Sequence, residues 1–325
     1  MINTKIESIT KKVLEGYEIE KEDALFLSQS EDVYDILYCA NKIKEKFLGK
    51  KMHFCSIVNA KSGACTEDCK FCAQSAHYNT FIKEYPLLKK EEIVNKAKEA
   101  LKWKSNVNHC FGIVTSGKMI TNEIELETIC ESVKEINKLG FYSCTSLGEL
   151  NEEIAQKLKL AGLVNYHHNL ETSARYFPQV CSTHDYESKI KTIRIAKKYG
   201  FKICCGGIFG MGESWIDRIE LAFKIKEFDV AHIPINFLNP RPGTPFENMN
   251  ELTPMECLKI IAIFRFIHPN KDILTSGGRE VNLKDFQSWM YYAGANGTLI
   301  GDYLTTSGRP YYEDIQILNA LGLWK

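Results

Sequence analysis

Little in this sequence favours a polyanionic partner, a membrane or a division into separate domains. Forty-one Lys and Arg offset forty-one Asp and Glu, and the two signs are interspersed, so nucleic acid is not expected as a partner. No stretch approaches eighteen uninterrupted apolar residues, which excludes a membrane-spanning helix. The opening segment, Met1 to Glu18, lacks the apolar run of a secretory signal. Prolines number only nine, and no Pro/Gly/Ser-rich linker divides the 325 residues, a length that barrels of alternating strands and helices reach as one unit. Also missing are Gly-x-Ser-x-Gly, His-Glu-x-x-His and a glycine loop ending in Lys-Ser/Thr, the marks of three common catalytic designs.

What is present in number is cysteine, twelve in all. Twelve of 325 is about 4%, below the ~8–10% of a disulfide scaffold. With no secretory signal in view the expected compartment is the cytoplasm, where clustered cysteines are more often metal ligands or catalytic thiols than bridges.

The first fifty residues read as helical, with apolar residues such as Ile6, Ile9, Val13, Val33, Ile36 and Leu37 near helical spacing. Short apolar runs then alternate with longer amphipathic ones. Eight strands are expected, at Phe54 to Ala60, Cys110 to Val114, Phe141 to Thr145, Val164 to Asn169, Lys202 to Ile208, Ala231 to Phe237, Ile273 to Ser276 and Thr298 to Ile300. Helices are expected between them, at Lys89 to Lys104, Glu123 to Leu139, Glu149 to Ala161, Tyr186 to Tyr199, Ser214 to Glu227, Thr253 to Ile267 and Leu283 to Tyr292. Gly140 and Gly200 stand where C′ glycines end helices, and Pro254 near a first helical position. Parallel strands need covering crossovers. The pattern therefore predicts an α/β fold, a single (β/α)8 TIM-type barrel over residues 51–325 with an N-terminal helical extension over 1–50; a doubly wound open sheet is the alternative.

Three cysteines, Cys65, Cys69 and Cys72, follow the first expected strand with three- and two-residue gaps. In a parallel barrel that loop lies on the C-terminal face, where active sites gather. Structural zinc wants four ligands, and only His77 follows at short range. A cubane iron–sulfur cluster with one open iron suits three thiolates better.

The Cys65-x3-Cys69-x2-Cys72 run, with aromatic Phe71 before its last cysteine, resembles the signature of radical S-adenosylmethionine enzymes. The surrounding residues resemble the biotin synthase family from about Ser56 to Leu323, through Ser62 to Ser75, Tyr166 to Ser173, Cys205 to Glu213, Pro234 to Asn236, Ala293 to Asn296 and Leu304 to Thr306. The resemblance implies a [4Fe-4S] cluster on Cys65, Cys69 and Cys72 whose open iron binds S-adenosylmethionine. It implies an auxiliary iron–sulfur cluster on Cys110, Cys144 and Cys204 that donates sulfur to dethiobiotin. Two S-adenosylmethionine molecules per biotin, a flavodoxin or ferredoxin electron donor and a homodimer are implied likewise. Related barrels of the hydrogenase-maturation and methylornithine-synthase types share the first motif, and an electron-transfer protein without catalysis is a rival of another class. The remaining cysteines, Cys39, Cys130, Cys181 and Cys257, read as packing residues, as do His53, His268 and the Tyr291-Tyr292 pair.

The family pattern also assigns binding groups. Asn169 and Asn236 face the nucleoside or the ureido ring, and a carboxamide presents both donor and acceptor to a cyclic urea. Glu171 stands where Asp is usual, toward the ribose; Lys189 replaces an Arg near the methionyl carboxylate; His167 replaces an Asn. Phe71 and Ile208 flank adenine, and Thr305 and Thr306 anchor the substrate carboxylate. One departure matters more. The arginine that usually completes a two-iron auxiliary cluster is Leu274 here, and leucine does not ligate iron. Two readings follow: a four-iron cluster on Cys110, Cys144 and Cys204 with an extra sulfide on its fourth iron, or a [2Fe-2S] cluster completed by Cys205 or Cys55. Adjacent residues of a strand face opposite ways, which disfavours Cys204 and Cys205 sharing a site unless Gly206-Gly207 distorts the strand.

Overall fold

The computed structural model describes residues 2–104 and 108–324. Three helices come first: α1 (Thr4–Leu14), α2 (Lys21–Gln29) and α3 (Val33–Leu48). The alternating part begins with β1 (His53–Lys61), α4 (Lys90–Ala100), β2 (Asn108–Thr115), α5 (Glu123–Lys138), β3 (Tyr142–Ser146), α6 (Glu152–Leu160), β4 (Asn165–His167) and α7 (Tyr186–Lys198). It continues through β5 (Lys202–Cys204), β6 (Gly207–Phe209), α8 (Trp215–Glu227), β7 (His232–Phe237), α9 (Pro254–Ile267) and β8 (Asp272–Thr275). The short helices α10 (Arg279–Leu283) and α11 (Trp289–Tyr292), strand β9 (Gly297–Leu299) and helix α12 (Tyr311–Ala320) complete it.

Every strand pair is parallel, in the order β5-β4-β3-β2-β1-β9-β8-β7-β6, and β5 also pairs β7 through Cys204 and His232. That pairing closes the sheet, so the barrel is formed and the open-sheet alternative is not. The expected fifth strand is one run from Lys202 to Ile208, but the structure divides it at Cys205-Gly206. The cause is steric. A Cβ on Gly206 would stand 1.9 Å from the Pro234 carbonyl oxygen, and one on Gly207 would stand 2.4 Å from the Glu171 carbonyl oxygen. The chain can therefore step between neighbours only where side chains are missing, and β5 and β6 meet β7 at two separate registers.

Helix bounds follow their caps. Asn151 accepts from the Ile154 amide, which starts α6 at Glu152, later than the expected Glu149. Thr253 caps α9 with Pro254 as its first residue, and Gly140 and Gly200 take the left-handed conformation after α5 and α7. The expected helix from Leu283 to Tyr292 is instead broken into short turns around α10 and α11, and α12 has no counterpart among the expected elements.

The N-terminal extension has a physical purpose in this packing. Every residue of α9 from Cys257 to Ile267 is buried, and a helix buried all round needs cover on both sides. The barrel covers one side and α2 and α3 cover the other. Lys259 still finds partners there, donating to the Ser28 and Ser30 carbonyls at 2.5 and 2.7 Å.

Gly206→Ala tests the closure. Overpacking against a backbone carbonyl is expected to lower stability by about 2 kcal/mol or more in urea unfolding; an unchanged midpoint would show that the strands can move apart freely.

Candidate active site

At the C-terminal end of the barrel a cavity of about 360 Å³ opens between the strands and the loops that follow them. Its wall carries Cys72 from the first loop and Cys55, Cys144 and Cys204 from β1, β3 and β5. Cys72 of the first expected set and Cys144 and Cys204 of the second thus line one space.

The first loop is held in shape by its own backbone. The Cys65 amide donates to the Gln74 carbonyl at 3.1 Å, the Ala76 amide to the Cys65 carbonyl at 2.8 Å, and the Cys72 amide to the Cys69 carbonyl at 2.9 Å. A second segment clasps it from outside. The Asp68 carboxylate accepts from the Ser182 and Thr183 amides at 2.8 and 3.1 Å, and the Ser182 and Thr183 hydroxyls add to this set. Although burial opposes ionisation, these donors hold the Asp68 carboxyl well below its ordinary 3.8. Beside them Cys69 and Cys181 bring their sulfurs to 3.7 Å, and His184 Nδ1 lies 3.2 Å from the Cys181 sulfur and 2.6 Å from Glu67. Cys181, expected as a packing residue, therefore borders the candidate cluster loop.

The strand cysteines converge through register. Cys55 stands opposite Cys110, Gly112 opposite Cys144, and His167 opposite Cys204. Burial lifts the Cys144 and Cys204 thiols well above the ordinary 9.0, and their thiol neighbours lift them further. The hydrogen bond to Cys55, then burial, does the same for Cys110. Burial also pushes Cys72 up to about 11. Crowded, buried thiols that resist ionisation are suited to a bound cation, which makes thiolates outright. Gly112 adds room, because a Cβ there would touch Ile57 and approach Cys144. The donor sets therefore fit iron–sulfur clusters. All twelve cysteines are free, and Cys205, fully buried, packs into the apolar core away from the cavity wall.

The binding groups divide in two. Phe71, Asn169, Glu171, Ile208, Asn236, Leu274, Thr305 and Thr306 all line the cavity. Asn169 Oδ1 accepts from the Gly206 amide at 3.0 Å, and its Nδ2 donates to Glu171 at 3.3 Å. Asn236 donates to the Gly207 carbonyl at 3.1 Å and accepts from the Gly277 amide at 3.0 Å. Each carboxamide is oriented, with one donor and one lone pair left over. Glu171 sits at a left-handed φ of 68°, and burial raises its carboxyl while the Lys189 charge opposes the rise. Lys189 itself is buried behind this wall, donating to the Asn169 carbonyl at 3.3 Å.

Below the strand cysteines lies a polar floor that the motifs do not announce. His53 Nε2 is 3.4 Å from the Cys110 sulfur and 3.8 Å from the Cys55 sulfur. Asp272 Oδ2 faces His53 Nδ1 at 3.6 Å and His232 Nδ1 at 3.4 Å. Asn165 donates to the Cys110 sulfur at 3.4 Å. Part of the signal lies in the spacing, since His53 and Cys55 are two apart on one strand and so share a face.

The chain is similar to known proteins along nearly its whole length. The model of the Radical SAM superfamily matches residues 60–225, and that of the Biotin and Thiamin Synthesis associated domain matches residues 234–324. The chain is 51% identical to the biotin synthase of Geotalea daltonii over 98% of its length and 97% of that relative's. It is likewise 51% identical to the biotin synthase of Geotalea uraniireducens, over 99% of its length and 98% of that relative's. Among solved structures, methylornithine synthase superposes with a TM-score of 0.82 at 18% identity, over 97% of this chain and 96% of that one. The FeFe-hydrogenase maturase of Carboxydothermus hydrogenoformans gives 0.81 at 17% identity, over 98% of this chain and 78% of that one. At such identities the last two show the shared fold alone.

The Asp68 clasp has a pH signature. Its folded-state value is depressed, so the stabilisation is full above the ordinary 3.8 and is lost as pH falls through the acid range. The difference in Tm between the parent and Asp68→Asn is expected to be largest near pH 6 and to shrink toward pH 3; a difference independent of pH would contradict the clasp.

Proposed function

The chain belongs to the biotin synthase family of radical S-adenosylmethionine enzymes, and on that premise we propose how its residues divide the insertion of sulfur into dethiobiotin. Cys65, Cys69 and Cys72 hold the [4Fe-4S] cluster, and Cys110, Cys144 and Cys204 hold the auxiliary one. Bound there, the reduced cluster with S-adenosylmethionine supplies a 5′-deoxyadenosyl radical, and the auxiliary cluster supplies sulfur. The observation that carries this division is the single cavity walled by cysteines of both sets.

Around that cavity the protein binds and orients. Phe71 and Ile208 flank the adenine, and Asn169 and Glu171 take the ribose. Lys189 acts from behind the wall, its charge opposing the burial that would neutralise Glu171. Asn236, its carboxamide fixed on two sides, presents its remaining donor and acceptor to the ureido ring. Thr305 and Thr306 receive the substrate carboxylate at the cavity mouth. The loops that follow the strands wall this space on several sides, which limits the access of water to a reactive radical.

Leu274 lines the same cavity with an apolar side chain, so the protein leaves the auxiliary cluster short of its usual nitrogen ligand. We take the cluster as a four-iron one with an extra sulfide on the iron that the three cysteines leave free, in preference to [2Fe-2S]. Of the two cysteines that could complete the latter, Cys205 packs into the core, and Cys55 lines the cavity opposite Cys110. The electron donor is a flavodoxin or ferredoxin, the assembly a homodimer and the compartment the cytoplasm. Among the described residues no helix is long and apolar enough to cross a membrane, and no nucleic-acid partner is needed. Residues 1–50 are the extension and 51–325 the catalytic unit, within which both matching family models fall.

Cys110→Ala is expected to bring biotin formation to background while S-adenosylmethionine is still cleaved to 5′-deoxyadenosine under reduction; survival of both activities would defeat the donor assignment. Asn236→Ala, which removes one oriented hydrogen-bonding group, is expected to raise the KM for dethiobiotin about tenfold. An unchanged KM would place the ureido ring elsewhere.

A further inference from the structure

His53 carries more than packing. Its ring is buried in the barrel floor with Nε2 directed at the sulfurs of Cys110 and Cys55, and the three ligand atoms lie within 4.8 Å of one another. On its other side Nδ1 has no hydrogen-bond partner and faces the Asp272 carboxylate at 3.6 Å. Asp272 is itself fixed, accepting from Asn296 at 2.8 Å and from Lys51 at 3.2 Å. At 3.6 Å the carboxylate is beyond hydrogen-bond distance, but its charge favours the tautomer with the proton on Nδ1, which leaves the Nε2 lone pair free. Metal-binding histidines have a carboxylate on the same side, bonded to the second nitrogen at closer range. A thiol donating to that lone pair, as Cys110 can here, is the metal-free counterpart of a shared metal.

The position of His53 also answers the departure at Leu274. Gly297 pairs with Leu274 on one side and with His53 on the other. It carries no side chain to separate them; a Cβ there would fall 2.8 Å from Leu274. The nitrogen donor missing from β8 therefore has a substitute on β1, one strand beyond Gly297. Cys55 shares the same corner, but it offers a sulfur where the donor missing from β8 is a nitrogen.

We infer that His53, oriented by Asp272, is a nitrogen ligand of the auxiliary cluster, coordinating the iron that Cys110, Cys144 and Cys204 leave free whenever the extra sulfide is not on it. The inference rests on the four-iron reading given above. Histidine and sulfide exchange at one coordination position, so no redox step is involved: an iron–nitrogen bond forms where an iron–sulfur bond has been lost.

The test uses full-length protein with Cys65, Cys69 and Cys72 changed to alanine, labelled with 15N-histidine, reconstituted with iron and sulfide in equal amounts, and reduced. Pulsed EPR is expected to show a directly coordinated histidine nitrogen, lost in the added His53→Gln variant and lost again when one further sulfide per cluster is supplied. Asp272→Asn is expected to weaken the coupling while iron is retained. A four-iron spectrum without histidine coupling, or a coupling that survives His53→Gln or the added sulfide, would overturn the inference and leave the four-iron reading standing. A two-iron spectrum, or no cluster at all, would overturn both.

Discussion

The break in the fifth strand is the constraint on which the rest of the molecule depends. At Cys205-Gly206 the chain passes so close to the Pro234 carbonyl that no side chain fits, and this step lets β5 and β6 meet β7 at separate registers. The Cys205 amide donates to the His232 carbonyl at 3.0 Å, completing the closure. The same step settles where three chemical groups point. Cys204 faces the cavity, Cys205 faces the core, and the Gly206 amide is free to fix the Asn169 carboxamide. Closure of the barrel and orientation of the site are thus one event in the backbone.

From this closure follows a vertical order inside the barrel. The floor is polar, with His53, His232, Asp272 and Asn165 meeting beneath Cys110. Burial holds His232 down to about 4, even with Asp272 favouring its charged form, so that ring is neutral at physiological pH. Above the floor come the thiols, crowded and resistant to ionisation without a cation. Above them lies the mostly apolar cavity, and at its mouth the loop of Cys65, Cys69 and Cys72. Asn169, Glu171 and Asn236 set polar groups into a cavity wall that is otherwise mostly apolar.

Much of this order is legible in the amino-acid sequence itself. The alternation of apolar runs points to the barrel, since parallel strands need crossovers, and the motif around Cys65 places its loop on the active face. Leu274 is legible as a departure because its residue type is wrong for the chemistry expected there. Other features are hidden for physical reasons. The split at Gly206 depends on the Pro234 carbonyl, which is distant along the chain, and α10 and α11 arise in a segment whose apolar spacing suits one continuous helix. Cys181 and His53 look like packing residues in the sequence because their neighbours, Cys69 and Cys110, are brought to them only by the closed fold. Lys189 matches a ligand-facing position by pattern, yet its long side chain ends behind Asn169, a matter of direction that spacing does not encode.

In the proposed division of roles, sulfur reaches the substrate from the cluster on Cys110, Cys144 and Cys204, across the cavity that cysteines of both sets line. The most direct measurement is a single turnover of protein reconstituted with isotopically heavy sulfide, freed of unbound sulfide, with the mass of the biotin read afterward. Biotin carrying the heavy isotope in proportion to the labelled auxiliary cluster is expected. Biotin of ordinary mass, formed in the same amount, would contradict it.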